Sequence, residues 1–152
     1  MHNGIIISDT SCLIVLSRIQ QLDLLQKLYG TVFITEEVAN EFDEELPSWI
    51  IIKDIQNKTN LRVLRNLVDL GEASAIALAL EYEDSLLIVD DLKGRKEAQR
   101  LGLKITGLMG ILLKCKQENI ISEIKPVLAA VKQASFRISE NIESFVLQQA
   151  GE

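Results

Sequence analysis

Stretches in which nearly every position is apolar alternate here with longer stretches in which apolar residues recur three and four apart. The first kind reads as strands covered on both faces, the second as amphipathic helices. Strands are predicted at Gly4–Ser8, Thr31–Ile34 and Leu86–Val89, with a shorter one at Leu103–Ile105. The run Trp49–Ile55 follows Pro47 and reads as either strand or buried connector around Ile50-Ile51-Ile52. Leu22, Leu25 and Leu28 keep helical spacing and stop at Gly30, a natural C-terminal cap. Thr35 opens the next helix as its N-cap, with Glu36 and Glu37 complementing the dipole. Over Glu72–Tyr82, Ala73, Ile76, Ala77 and Leu80 form one apolar stripe. Thr106 is the expected cap of a helix running to about Lys116, and helices follow at Ile121–Ala134 and Glu140–Gln149. Pro126 either sits in the first turn of the former or breaks it. Strand–helix alternation predicts an α/β fold around a mainly parallel sheet. With no repeat, low-complexity tract or linker, residues 1–152 read as one domain.

Composition narrows the class more than the fold. The 152 residues can bury a substantial core, and 47% hydrophobic with 25% charged residues is ordinary globular composition. A net charge of −6 argues against a broad basic surface for wrapping nucleic acid, while leaving room for a small local site. Cys12 and Cys115 both lie in apolar surroundings, which favours core packing over a disulfide or a metal pair. No apolar run approaches the ~20 residues that span a bilayer. The N-terminus lacks a secretory signal, so no membrane and a cytoplasmic location are expected. His2, at a terminus expected to fray, is the single histidine, which argues against histidine general-base chemistry and histidine-ligated zinc.

The candidate chemistry lies in carboxylates set among apolar residues. In "IIISDTSCLIVL" a buried strand ends at Asp9, where an unpartnered charge would cost several kcal/mol. In "LLIVDDLKGR" the event recurs with Asp90 and Asp91. Parallel strands bring both ends to one sheet edge, where open α/β sheets bind ligands. Carboxylates gathered there repel one another unless a hard cation sits between them. Glu41 borders the core-facing side of its helix, beside Phe42 and three residues from Val38. Glu72 stands in the first turn of an alanine-rich helix. Taken singly, each acid has a structural reading: Glu72 complements a dipole, Glu41 is a rim charge, Asp9 or Asp90 caps the following helix. Thr10 and Ser11 either hold a metal-bound water or cap a helix. Lys93 and Arg95 either bridge to Asp90 or Asp91 or meet a substrate phosphate.

Acid–Thr–Ser after the first strand, Glu41 in "VANEF", Glu72 in "LGEASAIALA" and the pair in "LLIVDDLKGRKEA" together resemble the PIN-domain ribonucleases. The likeness extends through "ITGLMGILLKCKQENII" to the terminal Gly-Glu, and covers nearly the whole chain. It is nearest to a prokaryotic subgroup of compact single-domain PIN proteins. The resemblance implies a three-layer fold, with a parallel sheet in order 3-2-1-4-5 and helices on both faces. It also implies a metal-dependent nuclease acting on RNA, with Mg²⁺ or Mn²⁺ as the ion. Many relatives are toxins held by an antitoxin, and many form homodimers. By position, Asp9, Glu41, Glu72, Asp90 and Asp91 are the implied catalytic acids, with Asp9, Glu72, Asp90 and Asp91 as metal ligands. Thr10, Ser11, Lys93 and Arg95 are implied substrate contacts. Glu72 stands where the toxins usually carry an aspartate, and the Asp90-Asp91 pair replaces a Thr-x-Asp or Thr-x-Asn turn. Which of the pair meets metal is therefore open.

An all-oxygen donor set favours such hard ions over zinc. Two other readings compete: a PIN scaffold that binds a partner without catalysis, and a phosphoryl-transfer receiver or phosphatase. The latter fits less well, because Ser11 occupies the position where haloacid-type phosphatases carry a second acid. Leu108 and Met109 are candidate dimer contacts if they reach the surface.

Overall fold

The structure, a computed structural model, describes residues 4–152, so the expectation about His2 lies outside the described residues. Five strands are described: β1 (Ile5–Ser8), β2 (Val32–Ile34), β3 (Ile50–Ile52), β4 (Ser85–Ile88) and β5 (Lys104–Thr106). They pair in parallel in the order β3-β2-β1-β4-β5, the order that the resemblance implies. The run after Pro47 is thus a strand. It lies at the sheet edge, where Ile51 and Ile52 stay exposed.

Alternation along each strand divides the core in two. Ile6 and Ile88 face a cluster that holds Leu13 and Leu16 of α1 (Thr10–Arg18), Leu25 of α2 (Asp23–Tyr29) and Ile111 of α7 (Leu108–Gln117). Ile7 and Leu87 face the other side, against α5 (Leu70–Ala79) and Ala98 of α6 (Leu92–Arg100). Helices α3 (Glu36–Phe42) and α4 (Lys58–Leu64) flank α5. Helices α8 (Lys125–Gln133) and α9 (Glu140–Gln149) complete the first side. Helices thus cover both faces of the sheet. Cys12 and Cys115 are free thiols buried in the first cluster.

Four expectations about the elements change. Helix α5 starts at Leu70 and ends at Ala79, and every residue from Gly71 to Ala79 is buried, so it has no single apolar stripe. It is enclosed by β1, β4, α3, α4 and α6, and its small side chains permit that close approach. Thr106 ends β5 and does not cap α7; Gly107 is the N-cap, and the Asp90 carboxylate accepts from the Leu108 N–H at 2.9 Å. Pro126 belongs to the first turn of α8, which begins later than expected. Helix α4 lacks a long apolar pattern and was not expected; Asn57 caps it, accepting from the Asn60 N–H at 3.1 Å. Leu108 is fully buried, which removes it as a dimer contact, and Met109 is half-buried. Among the described residues no helix is long and apolar enough to cross a membrane.

Since β1 is followed by β2 and β3 on one side and by β4 and β5 on the other, the chain reverses its direction of travel between β1 and β4. A cleft at such a reversal is where an open parallel sheet receives ligands.

Candidate active site

Asp9 and the Asp90-Asp91 pair leave the sheet side by side at that reversal. Ser8 is in register with Ile88, and the Asp9 N–H donates to the Ile88 carbonyl at 2.9 Å. Asp9 occupies the N-cap position of α1, yet its carboxylate makes no capping hydrogen bond among the described residues. It is 3% exposed. The cap that would make its burial ordinary is absent.

Glu41 is brought in by α3, and a buried relay of hydroxyls fixes that helix. The Val38 N–H donates to Thr35 Oγ1 at 3.1 Å, Thr35 Oγ1 lies 2.7 Å from Ser74 Oγ, and Ser74 donates to the Gly71 carbonyl at 2.7 Å. One proton assignment satisfies all three bonds, with Thr35 donating to Ser74. The relay ties α3 to the first turns of α5, and so ties Glu41 to Glu72. The Thr10 hydroxyl donates to Glu41 Oε1 at 2.9 Å, which accounts for a threonine directly after Asp9.

A cavity of about 110 Å³ is lined by Asp9, Thr10, Ser11, Glu41, Asp69, Glu72 and Asp91. Four predicted acids therefore meet, and a fifth, Asp69, joins them. Asp69 escaped the sequence reading; the signal was its place as N-cap of α5, three residues before Glu72. Asp91 divides its carboxylate. Its Oδ2 accepts from the N–H groups of Lys93 (3.0 Å) and Gly94 (3.4 Å), capping α6, while the residue still lines the cavity.

Asp90 does not line this cavity. Its Oδ1 serves the α7 N-terminus, and it faces a different cavity with Arg95 and Gly107. Arg95 donates from Nη1 to the Val89 carbonyl at 2.9 Å and its charge acts on Asp90. Arg95 thus braces the strand end. Lys93 lines a larger adjoining cavity of about 570 Å³ together with Arg65, Asn66, Leu67, Asp69, Glu72 and Asp91.

The charges are not balanced from within. Burial first, then the charges of Glu41, Asp90 and Asp91, raise the Asp9 pKa to about 7 against a hydrogen bond at Thr10 that lowers it. Burial, the charges of Asp9 and Asp91, a side-chain contact with Asp91 and the charge of Asp69 raise Glu72 to about 8. Burial also raises Asp90, offset by the Leu108 N–H and by Arg95. Glu72 Oε2 and Asp90 Oδ2 are buried without a hydrogen-bond partner among the described residues. Such atoms in a native site call for an occupant or a function.

Among the described residues no group of three or more Asp, Glu, His or Cys stands ready to hold a metal ion. The acids share one cavity without forming a ready ligand cage. In donor chemistry they fit a hard divalent ion: every donor is oxygen, and Glu72 Oε2 is unpaired beside Asp9 and Asp91.

A parallel α/β sheet carrying acids at its reversal point defines a class of carboxylate-site α/β proteins. The sequence matches the PIN-domain family over residues 5–152, and the chain belongs to that family. PIN domains are generally nucleases and generally use divalent metal ions. No curated protein matches this chain.

Proposed function

We propose that the protein is a divalent-metal-dependent endoribonuclease whose site is the cluster of Asp9, Glu41, Glu72 and Asp91. One observation carries this reading: Glu72, 6% exposed, has a carboxyl oxygen, Oε2, with no hydrogen-bond partner among the described residues, and it lies among other acids at the reversal point of the sheet. A buried carboxyl group so placed has no structural use that the surrounding contacts supply. Bound Mg²⁺ or Mn²⁺ would supply charge stabilisation at the reacting phosphate and a more acidic water. Asp9, Glu72 and Asp91 would hold the ion, with Glu41 oriented beside them by Thr10. Around neutral pH, Asp9 and Glu72 retain protons in the metal-free protein, so cation uptake is coupled to proton release. Asp91 keeps the start of α6 at the cluster through its cap, and Asp90 with Arg95 keeps the end of β4 and the start of α7 in place.

An RNA substrate is supported by the adjoining cavity. Arg65 and Lys93 on its lining are cations for a phosphate backbone, and exposed Leu67 and Leu92 offer apolar contact to sugar or base. In this reading the enzyme works in the cytoplasm. As the toxin of a toxin–antitoxin pair it would be silenced by a protein encoded beside it, which co-purification with the product of a neighbouring reading frame tests. Incubating purified protein with mixed-sequence RNA is the direct test of activity. Cleavage with Mg²⁺ or Mn²⁺ that stops in EDTA is expected. Cleavage that persists in EDTA removes the metal mechanism.

A second reading, a PIN scaffold that binds a partner without catalysis, draws on the lack of a ready three-residue ligand group among the described residues and on the net charge of −6. Failure of Mn²⁺ to bind the purified chain would favour it.

A further inference from the structure

Three acids of this region rest against glycines at helix starts. A Cβ placed on Gly71, in the first turn of α5, would lie 2.5 Å from each carboxylate oxygen of Glu41. One on Gly94, in the first turn of α6, would lie 2.7 Å from Glu72 Oε2 and 3.0 Å from Val89 Cγ2. One on Gly107, the N-cap of α7, would lie 2.6 Å from Asp90 Oδ1 and 2.8 Å from Arg95 Nη1. Backbone conformation does not explain these glycines. Gly107 has φ −135°, and neither Gly71 nor Gly94 is among the positive-φ glycines Gly30, Gly102 and Gly151. Glycine favours a helix less than alanine does. At Gly71 and Gly94 the chain uses a poorer helix former than alanine, and in each case the missing Cβ leaves the space a glutamate carboxyl group fills.

We propose that Gly71 and Gly94 are positioning residues of the acid cluster. Glu41 and Glu72 reach the site because the facing helix presents no side chain beneath their carboxylates. The length of the acid at 72 is matched to the bare backbone at 94: a long acid needs a glycine seat, whereas a shorter one does not extend over it. This rests on the nuclease reading only for the consequence in catalysis; the seating itself is a property of the metal-free chain.

The test is a cycle of Gly94→Ala, Glu72→Asp and the double variant in the full chain. It is read by Mn²⁺ affinity in calorimetry, by RNA cleavage and by melting in EDTA. Gly94→Ala alone should weaken Mn²⁺ binding and slow cleavage by about tenfold or more, the usual effect of disturbing the support of a metal ligand. Its Tm in EDTA should stay at or above that of the wild type, since a displaced carboxylate tip is cheap and alanine favours the helix. Glu72→Asp should be harmful in the wild-type background and beneficial in the Gly94→Ala background, because the shorter acid clears the new methyl group. Should Val89 fail to yield and Gly94→Ala not fold, Gly71→Ala with Glu41→Asp carries the same test. There the three nearest atoms all belong to the flexible Glu41 carboxyl group. Equal effects of the shortened acid in both backgrounds would overturn the proposal. A wild type that neither binds Mn²⁺ nor cleaves RNA would sink the nuclease reading alone. The seat would then be judged by melting in EDTA, where coupling of at least about 2 °C between the two substitutions is expected and additive shifts refute it.

Discussion

Asp90 and Asp91 are neighbours with the same side chain and different work. Asp91 lines the acid cavity while capping α6, and Asp90 turns away to cap α7 beside Arg95. Asp91→Asn keeps a cap oxygen but removes a charge from the cluster. It should lower turnover by several kcal/mol of transition-state stabilisation, as loss of a metal-site group does, with a small change in Tm. Asp90→Asn also keeps a cap oxygen and should stay much closer to wild-type turnover. Asp90→Ala removes that oxygen from the Leu108 N–H and should cost about 0.5–2 kcal/mol of stability. Rates and melts of the three variants check this; equal rate losses in the two asparagine variants would put both residues at the metal. The division of labour was not legible in "VDD". A sequence shows that two acids follow a strand, but which way each carboxylate turns depends on the start of α7, 18 residues later in the chain.

At the scale of elements, α3 and α5 behave as one unit. Thr35 caps α3 and touches Ser74 of α5, so removing its hydroxyl breaks a cap and a buried bond together. Thr35→Val should destabilise the protein by about 1–3 kcal/mol and leave Ser74 without one partner. Ser74→Ala spares the cap and should cost less. Both should weaken Mn²⁺ binding if the relay aligns Glu41 with Glu72; unchanged affinity alongside a lowered Tm would limit the relay to stability. The cap at Thr35 was legible because Thr-Glu-Glu before a helical stripe has a local cause. The partner Ser74 was not, since a serine among alanines shows no direction. The same limit applies to α5. Its apolar positions show that it is a helix, while its burial on all sides depends on five other elements.

For the whole molecule, the meeting of strand ends was readable from continuous apolar runs that stop at acids, whereas the strand order came from the family resemblance alone. The edge strand and α4 were less readable, because short elements are held by their neighbours more than by their own pattern. The assembled charges also set how stability depends on pH. Asp9 and Glu72 have folded pKa values raised from 3.8 to about 7 and from 4.5 to about 8. In the metal-free protein the folded state therefore binds more protons than the unfolded one across that window, and stability falls as pH rises through it. Glu152 acts in the opposite sense. Its carboxylate accepts from the Ile124 N–H at 2.7 Å, the Lys125 N–H at 3.1 Å and the Lys116 ammonium at 2.9 Å, which lowers its pKa from 4.5 to about 2. Its contribution is present above 4.5 and lost as pH falls towards 2. Stability in EDTA should be greatest near pH 4.5, falling on the acid side towards pH 2 and on the alkaline side up to about pH 8. Melts across pH check this. Asp9→Asn should flatten the alkaline limb, and Glu152→Gln the acidic one.

The central claim is that the acids at the end of β1 and β4 are strained for want of a cation, and paired melts of wild type and Asp9→Asn at pH 8 test it most directly. Asparagine keeps the shape and removes the charge, so in EDTA the variant should be more stable by about 0.5–2 kcal/mol, as when a functional strain is relieved. Excess Mn²⁺ should then raise the wild type, by about 2.7 kcal/mol at a hundredfold excess over Kd, and raise the variant little, narrowing or reversing the order. A variant that is less stable than wild type in EDTA, and gains as much from Mn²⁺, would contradict the account.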